Sequence, residues 1–171
     1  MRRRVDRPST SEGVGRRLAG TPGVQRVPTP KLELFVIRNF LDEQSCAELM
    51  ERIDVNRRPS TIADDIGVAN YRTSETCDLP GSDPLVATLN RRLSDLLGLP
   101  EEHGEPLQGQ RYAPGQEFKA HTDTFEPNRA DYYVHCADSG QRTWTAMCYL
   151  NDVEDRGATR FKTINKTIQP E

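Results

Sequence analysis

Residues 107–125 read LQGQRYAPGQEFKAHTDTF, and the end of that stretch carries His121 and Asp123. In an extended strand, side chains two residues apart point to the same side. The spacing therefore sets an imidazole beside a carboxylate, with Ala120 and Thr122 turned away. One His and one carboxylate are two of the three ligands in the 2-His-1-carboxylate arrangement, which holds non-haem Fe(II) and leaves coordination positions open for oxygen chemistry. For an isolated His-x-Asp, the alternative is a surface strand that happens to expose both residues. The third ligand, a distal histidine, would come from much later in the chain, and the sequence reaches Glu171 without supplying it. His135 is the only other histidine after the pair, and it follows too soon for a late strand.

The flanking residues add weight to the metal reading. Arg111–Gln116 (RYAPGQ) sets Pro114-Gly115 between two short extended runs, which predicts a hairpin. Further on, Gly140-Gln141-Arg142 leads into Thr143–Leu150 (TWTAMCYL), a segment with strand alternation. Trp144, Ala146, Cys148 and Leu150 share one face, and Thr143, Thr145, Met147 and Tyr149 share the other. From Leu107 onward the signals are short strands and turns, as in half of a jelly roll, so one face of 143–150 would meet helices and the other a barrel interior. Residues 125–139, with Tyr132, Tyr133 and His135, read as an irregular insertion whose tyrosines could line an entrance or simply pack.

The order of these blocks resembles the prolyl 4-hydroxylase branch of the 2-oxoglutarate- and Fe(II)-dependent dioxygenases. That pattern runs R-Y-x-P-G-Q-x-[FY]-x-x-H-x-D-x-F, then G-Q-R, then a strand ending Y-L-[NS]-D-V-E, then G-G-x-T-x-F-P. Residues 111–125 fit almost position for position, and 140–154 fit closely. In the third block Arg156 stands where the first Gly would be, and Lys162 where Pro is usual. The resemblance implies an α+β fold: a double-stranded β-helix (jelly roll, cupin-like) with N-terminal supporting helices, its last barrel strands missing from this chain. It implies His121 and Asp123 as metal ligands, with the distal His absent. Tyr112 and Tyr149 become candidates for binding the cosubstrate 2-oxoglutarate; for Tyr149 an ordinary core tyrosine with a satisfied hydroxyl is the alternative. Arg142 becomes a candidate substrate contact. The implied activity is hydroxylation of a prolyl residue in a peptide or protein, with Fe(II) as metal, 2-oxoglutarate as cosubstrate and ascorbate rescuing oxidised iron. A truncated piece of a longer enzyme, turning over little or nothing alone, is the expectation for a chain that stops at Glu171. The competing expectations are a degenerate β module that docks a peptide through an open edge, and a dioxygenase acting on a small molecule or a nucleobase.

Length and composition agree with one domain. The chain has 171 residues, 35% of them hydrophobic, and a mean hydropathy of -0.74, which suits a single core plus a polar extension. The net charge of -3 argues against a dedicated nucleic-acid binder. The first 31 residues nevertheless hold eight Lys/Arg against two Asp/Glu. Rich in Arg, Gly, Pro, Ser and Thr, residues 1–30 are predicted to be a disordered basic tail, with 31–171 as the dioxygenase-like domain. No apolar run follows the early arginines, and Cys46, Cys77, Cys136 and Cys148 show no metal spacing. The expected setting is a reducing cytoplasm without a membrane span.

Between tail and site, Leu32–Ile37 reads as a first strand. Asp42 is a plausible N-cap for a helix with Cys46, Leu49, Met50 and Ile53 on one face. Asp83-Pro84 opens a second helix whose stripe is Leu85, Val86, Leu89, Leu93 and Leu96, closed by Gly98 and Pro100. Tyr71-Arg72-Thr73-Ser74 resembles a short signature of the same family, and His103 reads as an exposed loop residue.

Overall fold

Helix α1 (Ser11–Gly20) opens a computed structural model that describes residues 11–61, 69–137 and 140–170. Val14 and Leu18, one helical turn apart, are 1% and 3% exposed, so a two-residue apolar stripe docks the helix. Strand β1 (Val24–Arg26) follows and pairs antiparallel with β2 (Phe35–Ile37), Val24 opposite Ile37. The expectation of a disordered tail over 1–30 is therefore corrected for residues 11–30. The sequence hides this because one turn of periodicity, set among Gly and Arg, falls below any window that detects a helix.

Helix α2 (Glu43–Asn56) starts where expected: Asp42 Oδ1 accepts from the Ser45 N–H at 2.7 Å, satisfying one orphan donor of the first turn. Its inner face buries Leu49 and Ile53. After β3 (Arg58–Pro59) and β4 (Glu75–Asp78) comes α3 (Pro84–Leu97), capped by Asp83, with Pro84 in the first turn. Gly98 ends α3 in the left-handed region (φ 67°), its N–H returning to Ser94 O, a conformation glycine adopts without Cβ strain. Arg17 of α1 donates to the carbonyls of Asp95 and Leu96 at 2.7–3.1 Å. A cation thus sits at the negative end of α3 and ties α1 to it.

Strand β5 (Gln108–Arg111) completes a three-stranded sheet in the order β3-β4-β5. The core lies between this sheet and the two helices: Leu49, Ile53, Cys77, Leu79, Val86 and Leu89, with Leu150 among the partly buried residues around it. Gly109 lets β5 approach α2 closely, because a Cβ there would run into Ile53.

Beyond β5 the structure departs from three expectations. The Pro114-Gly115 turn does not fold a hairpin back on β5. Instead the chain resumes pairing along the same neighbour, with Phe118 bridged to Arg72. Arg72 and Glu75 are three positions apart, while Phe118 is seven positions from Arg111, the partner of Glu75. Four extra residues are therefore looped out between the two pairings, with Gly115 at φ 85° and Gln116 N–H returning to Ala113 O. His121 and Asp123 lie in irregular backbone just past that bridge, not in a strand. Thr143–Leu150 likewise forms no ladder among the described residues, although Leu150 still reaches the core. Alternation specifies which way side chains face but not whether a partner strand is present to satisfy the backbone.

Residues 125–139, expected to be irregular, contain helix α4 (Ala130–His135). Strands β6 (Thr159–Phe161) and β7 (Lys166–Ile168) close as a separate hairpin, Thr159 opposite Ile168. The described residues thus give an α+β fold with antiparallel sheets of two, three and two strands. Among them no helix is long and apolar enough to cross a membrane.

Candidate functional site

The bridge between Arg72 and Phe118, with Lys119 N–H on Tyr71 O and Thr73 N–H on Glu117 O, both at 2.9 Å, anchors the backbone immediately before the pair. From there Lys119 turns its carbonyl to His121 Nδ1 at 2.7 Å. A ring nitrogen facing a carbonyl must carry the proton, which leaves Nε2 as the lone-pair nitrogen of the neutral ring. Nε2 lies 3.4 Å from Asp123 Oδ1. The Phe118 ring stacks on the imidazole, centroids 3.7 Å apart and planes 19° apart. Arg72 in turn lies over Phe118 at 4.7 Å, held by Ser74 Oγ, Thr76 Oγ1 and Thr61 O.

Asp123 is held from the other side by residues 141–145. Its Oδ2 accepts from Thr145 Oγ1 at 2.5 Å, and its backbone carbonyl accepts from Arg142 Nη1 at 3.2 Å. The Gln141 amide clamps Phe125, accepting from its N–H at 2.9 Å and donating to its carbonyl at 2.8 Å. Arg142 also pairs with Glu105 through two contacts of 2.5 and 2.7 Å and lies over the Phe125 ring.

Electrostatics follow from this geometry. The hydrogen bond from His121, helped by Thr145 and by the charges of His121 and Arg142, holds the Asp123 carboxyl down at about 2 against the opposing effect of burial. Reciprocally, the Asp123 carboxylate and the Lys119 carbonyl raise His121 above its ordinary value. When the ring is protonated, the added proton on Nε2 bridges the pair, and a cation would have to displace it.

The donor set suits a metal. One imidazole nitrogen and one carboxylate oxygen 3.4 Å apart can both contact a first-row divalent ion, whose bonds to such donors are about 2.1 Å. Among the described residues no group of three or more His, Cys, Asp or Glu side chains converges, so the fit is to two ligands. His135 does not join them; its ring stacks on Phe125 at 4.9 Å. His103 is exposed in a short 3-10 turn.

The other expected contacts are engaged within the chain. Tyr112 is 45% exposed, its hydroxyl 3.2 Å from Gln110 Oε1. The Tyr149 hydroxyl lies 2.8 Å from Thr159 Oγ1 and 3.2 Å from Ile168 O, and it accepts from Thr159 N–H. It therefore joins the 143–150 segment to β6 and β7. Arg142 is committed to Glu105 and Asp123 O. Sequence reasoning passed over Thr145, Gln141, Glu105 and Phe118. For Thr145 a signal existed, since alternation places it on the face of Tyr149, and Gln141 and Phe118 stand in the family blocks quoted above; for Glu105 there was none.

Residues 107–171 match the 2OG-Fe(II) oxygenase superfamily. The chain is 33% identical over 162 residues to probable prolyl 4-hydroxylase 3 of Arabidopsis thaliana, covering 91% of this chain and 53% of that protein. It is 35% identical over 145 residues to prolyl 4-hydroxylase 2 of the same plant, covering 82% and 47%. Against prolyl 4-hydroxylase subunit alpha-1 of Rattus norvegicus the identity is 33% over 103 residues, covering 60% and 19%. The chain thus spans about half the length of the first two of these curated relatives. The segment that matches the 2OG-Fe(II) oxygenase superfamily carries the His121–Asp123 pair, and over most of its length this chain is similar to prolyl 4-hydroxylases.

Proposed function

We propose that this chain serves an Fe(II)- and 2-oxoglutarate-dependent dioxygenase that hydroxylates a prolyl residue in a peptide or protein. The observation that carries the reading is the His121–Asp123 pair: two donors 3.4 Å apart, the imidazole already oriented by Lys119 O. The prolyl substrate is supported by the likeness to prolyl 4-hydroxylases. Fe(II) with 2-oxoglutarate supplies oxidative decarboxylation coupled to C–H hydroxylation, and ascorbate would keep the iron reduced.

The chain's own residues have definite tasks in this reading. Lys119 O fixes the imidazole tautomer so that Nε2 is free to bind. Thr145 and Arg142 hold Asp123, and Phe118 screens one face of the His121 ring from water. Tyr149 and Tyr112 are the proposed cosubstrate contacts; Tyr149 would exchange its bond to Thr159 for one to a carboxylate. Arg142 is the proposed substrate contact, its guanidinium half-exposed beside Phe125. The superfamily implies a jelly roll, to which the sheets around β5 and the 143–150 segment would contribute.

The test is incubation with Fe(II), 2-oxoglutarate, ascorbate and a proline-rich peptide, scored for hydroxyproline by mass spectrometry and for succinate. The reading expects any hydroxyproline and succinate to appear together, little of either from these 171 residues alone, and neither after His121→Ala. Product formation that survives His121→Ala would overturn it.

A further inference from the structure

We propose that Thr145 is a positioning residue that makes Asp123 a one-oxygen ligand: its hydroxyl occupies Oδ2 and leaves Oδ1 facing His121 Nε2. The inference rests on the metal reading above and concerns how this chain presents its carboxylate.

Asp123 lies in irregular backbone, where no ladder fixes its direction. The terminal torsion of an aspartate is broad and two-fold, so an unheld carboxylate could offer either oxygen, or both. Here the two oxygens are distinguished. Oδ2 receives the Thr145 hydroxyl at 2.5 Å, within the range of charge-assisted O–H···O⁻ bonds. Oδ1 faces the imidazole at 3.4 Å. The hydroxyl hydrogen can point to only one acceptor, and it is the carboxylate that has the short contact.

The same five-residue stretch holds the main chain from Asp123 to Phe125. Arg142 bonds the Asp123 carbonyl, and Gln141 takes both the N–H and the carbonyl of Phe125. Arg142 is itself anchored by Glu105. Backbone and side chain of Asp123 are therefore set from residues 141–145, while His121 is set from Lys119. The two ligands are oriented by separate devices, and Thr145 occupies the carboxylate oxygen that does not face His121.

Thr145 is exposed, so its replacement leaves the core untouched. The experiment measures Mn(II) affinity of the whole chain by the EPR signal of free Mn(II), for the unsubstituted protein, Thr145→Val and Thr145→Ser, with thermal melts alongside. Thr145→Val keeps the shape and removes the donor; affinity should fall by about 10–100-fold, the usual loss when an outer partner of a ligand is removed. Thr145→Ser keeps the donor and should restore most of it, with all three proteins melting alike. Equal affinity for the Thr and Val forms, or no recovery with Ser, would overturn the positioning role while the metal reading stands. Absence of any His121-dependent Mn(II) binding in the unsubstituted chain would overturn both.

Discussion

Adding one methyl group at Gly109 should destabilise this fold, and shortening Ile53 at the same time should return part of the loss. Gly109 is buried in β5, opposite Cys77. A Cβ built there lies inside van der Waals contact of Ile53 Cγ1 and Cδ1, and 3.4 Å from Ile53 Cβ. Ile53 is β-branched, helical and 4% exposed, so it cannot swing aside. The backbone at Gly109 is one that alanine adopts without strain, which leaves space as the source of the cost. Overpacking of this kind costs about 1–3 kcal/mol. For a chain of this size each kcal/mol moves the melting temperature by about 2–4 °C, so Gly109→Ala should melt about 2–12 °C lower. Ile53→Ala alone opens a cavity and should cost about 2–5 kcal/mol. In the double variant the new methyl occupies part of that cavity, so the combined loss should fall short of the sum by about 1 kcal/mol or more. Urea midpoints and thermal melts of the four proteins close the cycle. Additivity to within about 0.5 kcal/mol would refute the close approach of β5 to α2.

Leu18→Ala should cost about 2–3 kcal/mol in urea unfolding, because Leu18 is 3% exposed in a helix that packs on α3 and β1; a tail residue would show no change. The His121–Asp123 pair gives opposite pH signs for folding and for metal. Asp123 is depressed to about 2, so its contribution to stability is present above the ordinary carboxyl value and is lost as pH falls through about 2. His121 is raised, so its contribution is full below the ordinary imidazole value and is lost as pH rises through the raised one. Mn(II) binding needs the neutral ring and should instead strengthen as pH rises through that same raised value, which an NMR titration of the His121 ring alongside a metal titration would check. Asp123→Asn should move the His121 titration midpoint downward; an unmoved midpoint would contradict the contact between them.

The helices were the legible part of the fold. Asp42, Asp83, Pro84 and Gly98 are local signals whose effect is complete within one turn, and the structure uses each as the sequence suggests. Helix α1 was hidden because its burial depends on α3 and β1, and on Arg17 reaching carbonyls 78 and 79 residues away. The 111–119 segment shows the same limit for strands. Pro114-Gly115 specifies a turn, but whether the chain then folds back or loops out and continues is decided by the free edge at 71–73, which no local pattern reveals. At the site, the proximity of His121 and Asp123 was legible from a spacing of two, even though the backbone there is not a strand. Thr145 was half legible, placed on the correct face by alternation but without its partner. Glu105 and Gln141 act through contacts that sequence separation conceals, 37 and 16 residues from the groups they hold.

The most direct measurement is Mn(II) binding to this chain, followed by the paramagnetic broadening of the His121 ring resonances, with and without 2-oxoglutarate. The account predicts that Mn(II) broadens those resonances selectively. It predicts that 2-oxoglutarate lowers the Mn(II) concentration needed, and that Asp123→Ala abolishes the effect. Broadening that is uniform over the surface, indifferent to 2-oxoglutarate and unchanged by Asp123→Ala would contradict it.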